Sequence, residues 1–131
     1  MTIDYAAILV AAVASWIAGA VWYGVLGKQW MQALGWTEAD RPKSPPIGPL
    51  ATTLVAELVM AGLLAGLIGH FGQAGIRNGV IVTAFSWLAF VAPTIAVNNA
   101  FQKRPVKLTV IDSGHWLMVL LVQGLVIGWF G

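Results

Sequence analysis

Four long stretches of the chain are hydrophobic on every side, and the polar positions gather in the segments between them. The runs cover residues 3–26, 50–71, 76–101 and 108–130. A surface helix of a soluble domain has one apolar stripe opposite a polar face. These runs have no polar face, and each exceeds the roughly 20 residues that cross a hydrocarbon core. At helical rise the first extends about 36 Å. Backbone N–H and C=O groups find no water in lipid, and a helix satisfies them within its own segment. The pattern predicts an all-α, integral membrane four-helix bundle in a single transmembrane domain, residues 1–131.

The connections differ in kind. The segment 28–49 is the long one, and Pro42, Pro45, Pro46 and Pro49 forbid a continuous helix through it. Before the prolines, residues 28–34 predict a short amphipathic helix lying in the interface, stopped by Gly35. Trp30 and Trp36 suit headgroup depth. The connection at 72–75 is tight, and the one at 102–107 is short and basic. No Lys or Arg precedes the first apolar run, so that run is expected to be a retained span rather than a cleaved signal peptide.

Composition supports lipid as the solvent. Hydrophobic residues make up 59% of the 131 and charged residues 9%, whereas a soluble domain carries about 25% charge. Mean hydropathy is +0.82. The pI of 9.3 does not point to nucleic acid, because net charge is only +2 and the basic residues sit in short loops. No cysteine is present, which excludes disulfides, thiolate catalysis and Cys-ligated metals. Six of the seven basic residues lie in two loops: Lys28, Arg41 and Lys43 in one, Lys103, Arg104 and Lys107 in the other. In a four-span chain those loops share a side, and Arg77 alone lies opposite. The positive-inside rule then places both loops in the cytoplasm and both termini outside.

Association in lipid depends on close packing, so rows of small residues mark the contact faces. Ala7, Ala11, Ser15 and Gly19 form such a row in the first span. Ala61, Ala65 and Gly69 form one in the second, beside Gly62 and Gly66. Gly79 and Thr83 mark the third span, and Gly124 and Gly128 the fourth. Pro93 is expected to kink the third span, having no N–H to give the Ala89 carbonyl. A faint repeat suggests two similar helical hairpins: 14–18 (ASWIA) is similar to 85–89 (FSWLA), and 66–72 to 124–131. Glycine rows on several helices lead to the expectation of a homo-oligomer, a dimer or trimer, or of packing into a larger membrane complex.

Ionisable groups inside a span are costly, and they raise a functional question by default. Glu57 and His115 each lie eight residues into their runs, and both runs start from the basic side. Asp112 sits one turn shallower on the His115 face. Asn98 and Asn99 reach the same level from the third span, and Trp22 and Tyr23 from the first. These seven are the candidate ligand- or proton-binding residues. The plainer alternative is that they hydrogen-bond across helices and fix register. His70 lies about 18 Å from His115 along the normal, so the two histidines cannot share a metal. No nucleophile–base–orienter set is present, and no catalytic residue, metal or cofactor is predicted.

Two stretches carry a resemblance. Trp22-Tyr23-Gly24, Gly27-Lys28-Gln29-Trp30-Met31 and Gly35-Trp36-Thr37 resemble the opening signature of the DUF1761 family; Arg104-Pro105 and Ile111-Asp112-Ser113-Gly114-His115 resemble its closing signature. The resemblance implies a small four-span bacterial membrane protein and directs attention to Trp22, Tyr23, Asp112 and Gly114. It implies no activity. The expected function is a small-ligand or proton-linked binding or transport unit with a polar pocket in the cytoplasmic third. The alternatives are a structural or accessory protein that self-associates, and an enzyme acting on lipid or quinone, which would need an enclosed cavity.

Overall fold

The computed structural model of the chain describes residues 3–72 and 75–131. Five helices are found among them: α1 (Tyr5–Val25), α2 (Gly27–Leu34), α3 (Ile47–His70), α4 (Ile76–Phe101) and α5 (Val106–Phe130). All but α2 are long and apolar enough to cross a membrane. The ends agree with the hydropathy runs to within three residues. The chain enters α1 through Asp4, whose carboxylate accepts the Ala7 N–H at 3.0 Å. The amphipathic segment before the prolines is α2, and Gly35 ends it with φ of +74°, a left-handed conformation that glycine adopts without a Cβ clash. Thr37 and Asp40 cap the short turn that follows. The tight connection expected at 72–75 includes residues 73 and 74, which lie outside the described residues.

Burial ranks the helices. Ten residues of α5 are buried, from Leu108 to Gly128, against five in α1, four in α3 and three in α4. The fourth span is therefore the central one, with α1 along one side and α4 along the other, and α3 packs on α1. Side chains that face away from these contacts, such as Leu63, Phe85 and Phe101, are exposed and apolar, as lipid contact requires.

The predicted small-residue rows meet in pairs. A Cβ added to Gly79 would strike the Gly124 carbonyl, and one added to Gly128 would reach the Gly75 carbonyl at 2.5 Å. At this point α4 and α5 touch backbone to backbone. Ala11 and Ala61 have no exposed area, and both belong to the apolar core with Leu64, Ile68 and Leu120. The kink expected at Pro93 takes the form of a π turn, Trp87–Val91, in which the Ala92 N–H bonds the Trp87 carbonyl. One extra residue in the turn absorbs the missing proline N–H.

The two hairpins are alike in one respect. Trp16 Nε1 donates to the Leu50 carbonyl across the first hairpin (3.1 Å), and Trp87 Nε1 donates to the Ser113 carbonyl across the second (2.7 Å). Their mutual packing is unequal. The first span lies along the fourth, but the third meets the second only over a short stretch near one end, where Asn78 Nδ2 donates to the Ile68 carbonyl (3.0 Å). Toward the basic end α3 and α4 part, and the second half of α4 (Ala92–Phe101) buries no residue.

Candidate functional site

The parting of α3 and α4 leaves a cleft of about 650 Å³ at the basic end. Trp16, Gly19 and Tyr23 of α1 form part of its wall, with Trp30 of α2. Leu50, Thr53 and Glu57 of α3 flank one side; Ile95, Asn98, Asn99 and Gln102 of α4 flank the other. Asp112, His115 and Trp116 come from the central helix. Six of the seven candidates from the sequence line this cleft. Trp22 does not: its ring rests against Gly114, and its Nε1 donates to the Ile111 carbonyl at 3.1 Å. It braces α1 on α5 behind the site.

Each wall is fixed by a specific contact. The Tyr23 hydroxyl donates to Asp112 Oδ1 at 2.6 Å, within the range of a charge-assisted bond. The Tyr23 ring packs on Trp30 (centroids 5.6 Å apart) and on His115 (4.8 Å). Trp30 in turn meets Trp36 at 5.1 Å, so the aromatic stack runs from the interior to the segment beyond α2. Asn99 Nδ2 donates to Thr109 Oγ1 at 3.0 Å, closing α4 onto α5 at the rim. Lys107 Nζ lies 3.4 Å from Gln32 Oε1. Gly19 is glycine because the imidazole occupies its place: a Cβ there would lie 2.7 Å from His115 Nε2.

Glu57 lies ten residues beyond the start of α3, about 15 Å along it, and has no exposed area. Neither carboxylate oxygen has a hydrogen-bond partner. The His115 nearby in the wall is 4% exposed, and its Nδ1 is likewise without a partner. No hydrogen bond joins His115 to Glu57. Side chains on a helix lean toward its N-terminus, and the N-termini of α3 and α5 both lie at the basic end. His115 therefore leans toward the cleft, while the Glu57 carboxylate lies near Ser15 with no accessible area.

Beneath this level sits a residue that the sequence analysis did not single out. Gln123 is fully buried; its Nε2 donates to Ser15 Oγ and to the Glu57 carbonyl, both at 3.1 Å. It ties α5, α1 and α3 together at one point, and its own Oε1 remains without a partner. The signal was present in the spacing. Ile111, His115, Val119, Gln123 and Ile127 recur every four residues, and all five are buried. Gln123 continues the His115 row, two turns further from the basic end.

Among the described residues, no group of three or more His, Cys, Asp or Glu side chains is arranged to hold a metal ion. His70 is exposed beside Phe71 at the opposite end of α3.

Four apolar helices around a shared core, with a polar and aromatic cleft at one end, define a multi-pass helical membrane protein. The chain belongs to the family described as protein of unknown function, DUF1761, whose family model matches residues 6–128. The match runs from the second residue of α1 into the last turn of α5 and includes every residue of the site. No curated protein and no solved structure matches the chain.

Proposed function

We propose that this protein is a small-ligand or proton-linked binding or transport unit working through the cleft between α3 and α4. The observation that carries the reading is the Glu57 carboxylate, fully buried in the wall of the cleft with neither oxygen in a formed hydrogen bond and only the Ser15 hydroxyl close by. Burying a carboxylate without a donor costs several kcal/mol or more. The cost is relieved when the group takes up a proton or receives a cationic or hydrogen-bonding ligand. A carboxylate present only to pack helices would be hydrogen-bonded across them, as Gln123 is.

The reading is tested in liposomes loaded with a pH-sensitive dye and given an outward proton gradient, with and without candidate ligands. Wild type is expected to show ligand-dependent or proton-coupled flux, and Glu57→Gln to abolish it. Equal flux in the two proteins removes the proposal.

A second reading, self-association or assembly into a larger membrane complex, has its own support. Gly62 and Gly66 of α3 have nothing within 4 Å of where a Cβ would be, and they line an open recess of about 560 Å³ beside α1 and the end of α5. Such a face suits a further helix, and a dimer or trimer is the form expected. Native mass analysis after mild detergent extraction tests it, and a monomer without partners counts against it.

The charge distribution supports an orientation with α2 and the turn after α4 in the cytoplasm and both termini outside, in the inner membrane of a bacterium. The natural chain has no cysteine, so single introduced cysteines report topology directly. A cysteine beside Lys103 should resist impermeant maleimide on intact cells, and one at Phe130 should react. The reverse labelling overturns the orientation.

A further inference from the structure

The charge and surface of the cleft narrow the class of ligand. Two carboxylates, Glu57 and Asp112, lie in its wall, and no Lys or Arg is among its lining residues. The chain has seven Lys and Arg against five Asp and Glu, so an acidic cleft departs from the composition. Asp112 is met by a single neutral donor, the Tyr23 hydroxyl, and Glu57 makes no formed hydrogen bond, with only the neutral Ser15 hydroxyl close by. Negative charge in a low-dielectric wall attracts a positive ligand far more strongly than the same charge in water.

The second observation is independent of charge. Trp16, Tyr23, Trp30 and Trp116 contribute rings to the same cleft. Trp16 is fixed through the Leu50 carbonyl and Tyr23 through Asp112, so two of the four rings are held in place. Fixed aromatic faces beside carboxylates favour organic cations by cation–π attraction while tolerating their apolar substituents. A hydrated metal ion gains little from them. The volume of about 650 Å³ lies within the range of small-molecule sites, roughly 300–1,000 Å³.

We infer that the ligand of this cleft is a monovalent organic cation with apolar or aromatic substituents. The inference rests on the binding reading above and adds the sign and character of the ligand. Asp112 and the rim asparagines meet the cation first. Glu57, whose oxygens have no accessible area, must rotate toward the cleft to pair with it.

Tetraphenylphosphonium and tetraphenylborate test the inference, because they match in shape and are opposite in charge. Equilibrium dialysis of the purified full-length protein in mild detergent measures both. The phosphonium should bind saturably and the borate at least about tenfold more weakly, the lower end of what one buried charge contributes. Glu57→Gln should weaken phosphonium binding by a similar factor. The wild-type comparison needs no variant to fold, and exposed Asn98 at the rim supplies a tolerant pair. Asn98→Asp should tighten phosphonium binding by about threefold and Asn98→Lys should weaken it, as expected for a partly solvated charge. Borate binding as tightly as phosphonium, no saturable phosphonium binding, or indifference to both Asn98 variants overturns the inference. Proton flux lost in Glu57→Gln alongside any of these results leaves the binding and proton reading standing; unchanged flux removes both.

Discussion

Helix α4 makes two contacts built on opposite principles, its seam with α5 near the termini and its parting from α3 at the basic end. At the terminal end Gly79 meets Gly124, Gly128 meets Gly75, and helices close to backbone contact. At the basic end large side chains hold helices apart: Trp16, Tyr23, Trp30 and Trp116 surround a cleft, and Glu57 is left without a hydrogen-bond donor. Lipid offers no hydrophobic force between helices, so the parting of α3 from α4 depends on the closed α4–α5 seam, and a second recess of about 560 Å³ lies between α1, α3 and the end of α5 near the termini. The Gln123 bonds to Ser15 and the Glu57 carbonyl mark the boundary between the halves.

The largest test falls on the closed end. Gly124→Ala places a Cβ 2.5 Å from the Gly79 carbonyl and 2.8 Å from the Thr83 side chain. Backbone there cannot yield cheaply, and overpacking should lower stability by about 3 kcal/mol, at the upper end of the usual cost. An SDS-unfolding titration measures it, and an unchanged midpoint would mean the backbones are not in contact.

Glu57→Met addresses the open end and separates the two functional readings. The carboxylate has no partner to lose, so an apolar side chain of similar length should raise stability by about 1.5 kcal/mol while abolishing proton flux. If the carboxyl group served helix packing, the same substitution would lower the midpoint.

Gln123→Leu strikes the boundary. It removes two buried hydrogen bonds, each worth about 0.6 kcal/mol in a membrane interior, so a loss of about 1 kcal/mol is expected in the same titration. Gly66→Ala is the smallest effect. Its added methyl meets nothing within 4 Å, and the monomer's stability should move by less than about 0.5 kcal/mol. A shift in oligomer mass in this variant would locate a subunit contact on that face.

Much of the fold could be read from the order of residues. Runs of 22–26 apolar residues have few forms available in lipid, and the structure describes a helix for each. Prolines at 42, 45 and 46 and Gly35 set the long connection, because each restricts the backbone locally, whereas Pro49 falls in the first turn of α3, where no N–H partner is needed. The glycine rows of α4 and α5 also announced themselves, since a spacing of four defines one helix face whatever lies opposite. The level shared by Glu57, Asp112 and His115 followed from counting along helices of known rise.

What the sequence by itself determined is thus what depends on one helix at a time: how many spans, where they end, which residues share a face and at what depth. Only the tertiary structure decided which faces meet. It made α5 central and sent Trp22 behind the site to brace Gly114. It joined Gln123 to Ser15 across 108 positions and opened α3 from α4 so that Glu57 lies in the wall of a cleft. The physical reason is that rise and periodicity are properties of a backbone's own hydrogen bonds. In lipid, the choice of neighbour rests on the fit of two surfaces, and neither surface is written in the other's segment.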